Sequence, residues 1–159
     1  MSIVLDLDAY PFILQAFPRG RKAESDLRDL FARMEVVGNR AVERNNVHVV
    51  IAVGDEGFNA AERKIIAECM AKAPAAIAAR VVGAFAVIEN TLARGVVTAL
   101  KWLTPRAMPI VAAATPEEAI EMAAGCLGAH GVLPPLELVE RARIRARKLH
   151  RGMRSAPGA

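Results

Sequence analysis

Three histidines and two cysteines are the residues of this 159-residue chain best suited to proton transfer, nucleophilic attack or metal ligation. His48 lies inside a β-branched run, His130 sits between glycines, and His150 falls in an arginine-rich stretch. No pair of them has the close spacing that a zinc site uses. In mid-strand, His48 reads as a partly buried, hydrogen-bonded residue, not a general base. Cys69 and Cys126 fall on the apolar stripes of helical segments, which predicts buried, inert thiols. A cysteine nucleophile needs a neighbouring base and an electropositive setting, and neither is visible. Gly54, Asp55, Glu56 and Gly57 form a glycine-flanked acidic turn. It lacks the lysine and the glycine spacing of a phosphate loop, and its carboxylates repel phosphate. It reads as a turn or as part of a partner surface, continuing through Phe58 and Asn59. Arg94 is a solvated arginine or a contact at the strand ends. Trp102 lies off the stripe of its helix and reads as core packing or as an interface residue. No catalytic set, metal site or cofactor site is expected.

Charge is unevenly placed. The formal net charge is +4. Residues 136–154 hold Arg141, Arg143, Arg145, Arg147, Lys148, Arg151 and Arg154 against Glu137 and Glu140, so the rest of the chain is close to neutral. Any nucleic-acid contact is therefore expected through this basic tail alone. The alternating arginines spread around a helix instead of forming one face. Large apolar residues are too few there for a membrane arm.

The elements that must position these residues follow from periodicity. Residues 3–7 and 12–17 are short apolar segments separated by Pro11 and closed by Pro18 and Gly20, which predicts a hairpin. Residues 23–44 carry Leu27, Leu30, Phe31, Met34, Ala41 and Val42 at helical spacing, with Gly38 a candidate bend or break. Residues 47–53 and 81–88 are nearly unbroken apolar runs, as expected of strands covered on both faces. Asn59 and Glu62 have capping-box spacing ahead of a helix bearing Ile65, Ile66, Cys69, Met70 and Ile77, with Pro74 distorting its last turns. Asn90 caps a further helix with Leu92, Val96, Leu100 and Leu103 in register. Residues 109–113 form a short strand. Thr115, Pro116 and Glu118 start the next helix, which Gly128 and Gly131 end. A final basic helix runs to about His150, with a thin apolar stripe that docks at its start and projects at its end.

With 53% hydrophobic residues the chain is globular, and with two cysteines it is no disulfide scaffold. No apolar run reaches the length of a membrane helix, and Asp6 and Asp8 interrupt the only apolar stretch near the start. A cytoplasmic protein without membrane insertion is expected. The predicted class is α/β, with a mixed, mostly parallel sheet of four or five strands and the order ββαβαβαβα plus a C-terminal basic helix. Residues 1–133 form the domain, and 134–159 the basic helix and tail.

Three features together resemble the STAS-like group, the small single-domain relatives of bacterial anti-sigma-factor antagonists. They are the strand 47–53 running into the loop 54–59 and a capped helix, the strand 81–88 followed by Glu89, Asn90, Thr91, Leu92, Ala93, Arg94 and Gly95, and the short strand ending in Thr115, Pro116, Glu117, Glu118 and Ala119. The resemblance spans residues 10–127. It implies helices mainly on one face of the sheet and a regulatory or binding role without catalysis. It also implies a phosphorylatable serine in the loop before the second helix. The loop 54–59 has no Ser or Thr, so Asp55 and Glu56 would act there as fixed charge near a helix start.

The expected function is a non-enzymatic regulatory or scaffold module working by protein–protein contact, with a second copy of the chain among its candidate partners. Its surface is Asp55, Glu56, Gly57, Phe58 and Asn59 with the following helix, aided by Arg94 and Trp102. The alternatives are a small apolar ligand or lipid held between sheet and helix, and nucleic acid bound through Arg141, Arg143, Arg145, Arg147, Lys148 and Arg151.

Overall fold

The computed structural model describes residues 2–54, 57–90 and 110–155. Asp55, Glu56, Arg94, Trp102 and the helix expected after Asn90 lie outside them. A five-stranded sheet runs in the order β1 (Val4–Asp6), β2 (Phe12–Ala16), β3 (His48–Val53), β4 (Val81–Val87) and β5 (Ile110–Ala113). β1 pairs antiparallel with β2, from Val4 opposite Ala16 to Asp6 opposite Leu14. The other pairs are parallel, with β3 central.

Helix α1 (Glu24–Glu43) joins β2 to β3. α2 (Ala60–Lys72) and α3 (Ala75–Ala78) lie between β3 and β4. α4 (Pro116–Ala129) and α5 (Leu136–Ser155) follow β5. Parallel strands laid down in sequence with right-handed crossovers send α1, α2 and α3 to one face. There Leu27 and Leu30 of α1 meet Ile3 and Phe17, with Ala52, Ile65 and Ile66 against them. The strands are apolar on the other side too. Phe12, Leu14, Val49, Ile51, Phe85 and Val87 point there, and α4 and α5 cover them with Ala119, Ile120, Ala123, Leu127, Val139, Ala142, Ala146 and Met153. Helices therefore occupy both faces, not mainly one as the family resemblance implied. The physical reason is that the second apolar face needs a cover, and among the described residues the helices after β5 supply it.

Local details sharpen this picture. Gly38 does not break α1, which runs unbroken from Glu24 to Glu43. It lies under α3, where a Cβ would sit 2.2 Å from Ile77 Cγ2. Pro74 caps α3 and separates it from α2, so the single stripe expected from Ile65 to Ile77 is split between two helices. α1 ends with Asn45 at a φ of 53°, the Asn45 amide donating to Val42 O and the Asn46 amide to Ala41 O. α4 ends the same way at Gly131, not Gly128: Gly131 has a φ of 78°, and the Val132 amide donates to Leu127 O.

α5 departs most from expectation. Leu136 at its start is exposed, while His150 and Met153 near its end are buried. The helix lies across β2 and β3 and packs on α4. It is docked from Val139 to Met153, and only Leu136 and Glu137 at its very start are free. No described helix is long and apolar enough to cross a membrane.

Candidate functional site

In parallel α/β sheets the loops at the carboxyl ends of the strands are the natural place for a binding surface. The loop after β2 and the loop after β3 meet at that end, and Glu62 joins them. Glu62 is the third residue of α2 and only 3% exposed. Its backbone amide donates to Asn59 Oδ1 at 2.9 Å, and its Oε2 accepts from the Asn59 amide at 2.9 Å, which completes a capping box. Its Oε1 accepts from the backbone amide of Lys22 at 2.7 Å. One carboxylate thus satisfies two amides in different loops while its charge rests at the amino end of a helix.

The side chains around it complete a small assembly. Phe58 stands edge-to-face on Phe17, with centroids 4.9 Å apart. The Lys22 ammonium lies 5.3 Å from the Phe58 ring centroid. Arg63 Nη1 donates to Phe58 O at 2.6 Å. The Phe17 amide donates to Val53 O at 2.9 Å, and a Cβ on Gly54 would lie 3.0 Å from Phe17 O, so the chain leaving β3 is seated directly on the Phe17 backbone. Of the partner surface read from the sequence, Gly57, Phe58 and Asn59 are brought together here. Phe17, Lys22 and Glu62 are additions that sequence reasoning missed. The Asn59–Glu62 spacing was the only signal for any of them, and it spoke of the cap, not of Lys22.

The tail residues are placed differently from a free docking arm. Arg145 Nε donates to Asp6 Oδ2 at 2.7 Å, and its Nη2 lies 2.9 Å from Asp8 Oδ2. The hydrogen bond to Asp6 raises the Arg145 pKa. Arg147 Nε donates to Glu117 Oε1, which holds that carboxyl below its ordinary value. Arg154 Nη1 donates to Glu89 Oε1 at 2.7 Å, and His150 Nε2 lies 3.1 Å from the same oxygen. Arg143 pairs with Glu140 within the helix. Arg141, Lys148 and Arg151 are exposed and form no ion pair among the described residues. Much of the tail's charge is thus matched by the domain it packs on.

His48 lies at the amino end of β3, away from the two loops. It is 1% exposed, and burial pushes its pKa down to about 4, so the ring is neutral at pH 7. Tyr10 Oη is 3.4 Å from its Nδ1. Cys126 is half-buried and donates from Sγ to Val82 O at 3.2 Å, and burial pushes its thiol pKa up. Cys69 is half-buried beside the Arg28 guanidinium. His130 Nδ1 meets Cys126 O at 2.9 Å, at the end of α4. Among the described residues no three His, Cys, Asp or Glu side chains are grouped to hold a metal ion. Comparison with protein-family models, with curated proteins and with solved structures finds no match for this chain.

Proposed function

We propose that the protein is a regulatory or scaffold module of STAS-like kind that works without catalysis, by presenting residues 57–59 and the first turns of α2 to a protein partner. The observation that carries this reading is the buried Glu62 carboxylate. It ties Asn59 to Lys22 in the loop after β2, so the seat of Asn59 at the start of α2 is shaped before any partner arrives, and binding loses less entropy there. The aliphatic side chains of α2 add to it, since Ile65, Ile66 and Met70 stay half-buried. Asp55 and Glu56 belong to this proposal as charged neighbours of the loop, and Arg94 and Trp102 as outlying contacts. The loop's lack of Ser and Thr argues for a surface whose charge is fixed.

The test uses Gly57→Arg. A Cβ at Gly57 would meet nothing within 4 Å and the residue is exposed, so a longer side chain has open space to leave the backbone while the surface changes. Native extract passed over immobilised wild-type protein should yield a partner that the variant, with unchanged circular dichroism, fails to retain. Equal retention by both proteins would remove the loop from the binding surface.

A further inference from the structure

We propose that the outer ridge of α5 is a self-complementary surface that pairs antiparallel with α5 of a second copy of this chain. The ridge lies on the opposite sheet face from α2, so this inference stands apart from the loop surface above. The inner side of α5 is committed to the core through Val139, Ala142, Ala146, His150 and Met153. The outer side carries an apolar centre, Ile144, which is 54% exposed. Around that centre the charges are arranged with opposite signs at equal spacings. Four residues before Ile144 is Glu140 and four after is Lys148; seven before is Glu137 and seven after is Arg151. Steps of four and seven stay on one helix face.

A two-fold axis through Ile144 therefore sets Ile144 on its copy, Glu140 against Lys148 and Glu137 against Arg151, each pair occurring twice, with Glu140 also 3.4 Å from Arg143 of its own helix. The next step outward, eight residues, opposes Leu136 to Gly152. Leu136 is 86% exposed, and a Cβ at Gly152 would meet nothing within 4 Å, so a knob faces an open space. A shallow groove beside Leu136, Glu137, Glu140 and Ile144, with Arg141 and the Asp8–Arg145 pair also lining it, runs along this half and receives the basic half of the copy. The step of three opposes Arg141 to Arg147, whose charge is already met by Glu117. Parallel pairing would set every charge against its like, so orientation is fixed by sign. Nucleic acid or an acidic protein would face Glu137 and Glu140 as well as the cations, which favours the second copy as occupant.

A single helix pair is a small interface, so the expected dissociation constant is on the order of micromolar. Sedimentation equilibrium on the full chain tests the pairing, with folding checked by circular dichroism. Lys148→Glu turns two attractive pairs into repulsive ones and should weaken the dimer about tenfold. Adding Glu140→Lys to the same chain restores opposite signs and should return the dissociation constant to the wild-type range. A wild-type chain that stays monomeric at about 1 mM, or a swapped double variant as weak as Lys148→Glu alone, overturns the proposal. Retention of an oligonucleotide by a wild-type chain that stays monomeric would also overturn it and assign the ridge to nucleic acid.

Discussion

The Glu62 carboxylate accepts from the amides of Lys22 and Asn59, so its loss strands two donors at once, the Lys22 amide buried and the Asn59 amide partly so. Glu62→Gln keeps the volume but offers a single accepting oxygen, and is expected to lower unfolding free energy by about 1–3 kcal/mol in urea titration. An unchanged midpoint would mean the two loops are held by something else. His48 makes a pH prediction. In the unfolded chain it takes a proton near 6.5, whereas the native ring does so only at about 4. Between those values the unfolded chain binds more protons. Stability is therefore complete above about pH 6.5 and falls as pH drops towards 4, by up to about 3 kcal/mol. Urea midpoints at pH 7 and pH 5 should differ for the wild type and converge in His48→Asn. At both residues the local pattern was readable in advance: a cap at Glu62, a mid-strand histidine at His48. What each side chain faces was not, because Lys22 and Tyr10 reach them only through the packing of distant segments.

Helix ends are where short-range rules worked best, since their residues are neighbours in sequence. Asn59, Thr115 and Gly131 each do at their helix terminus what their residue type allows. Replacing Gly131 by Ala forces a Cβ into the left-handed region and is expected to cost about 1 kcal/mol in thermal or urea unfolding. Gly38 is the contrary case. Read as a weak point of α1, it is the contact point with α3, and Gly38→Ala drives a Cβ onto Ile77. The expected loss is about 1–3 kcal/mol. Adding Ile77→Ala should recover part of it, and a double variant as unstable as the sum of the two single ones would show that no such contact exists. α2 and α3 misled for a related reason: a helical period continues across Pro74 in the sequence, although the backbone turns there.

For the molecule entire, α5 decides how the fold closes. Val139, Ala142, Ala146 and Met153 share one core with β2, β3, β4 and α4. Met153→Ala, almost at the end of the described chain, is therefore expected to destabilise by about 2–5 kcal/mol, as a core site does. A loss under 0.5 kcal/mol, typical of exposed positions, would show instead that the helix end is free. Arg145 and Arg147 reinforce this docking from its flanks through Asp6, Asp8 and Glu117.

Alternation of apolar strands with amphipathic segments was enough to specify a mostly parallel α/β sheet with β3 and β4 inside it, because strand and helix periods are properties of a few adjacent residues. Packing settled the rest. Whether a helix lies above or below the sheet, whether an arginine meets water or a carboxylate, and whether a thin apolar stripe is anchored all depend on surfaces far apart along the chain. The stripe of α5 is thin because small residues such as Ala142 and Ala146 let the helix sit close to the sheet. A composition-based reading takes that smallness for weak attachment, and only the opposing surface of Phe12, Leu14, Val49 and Ile51 reveals it as a close fit.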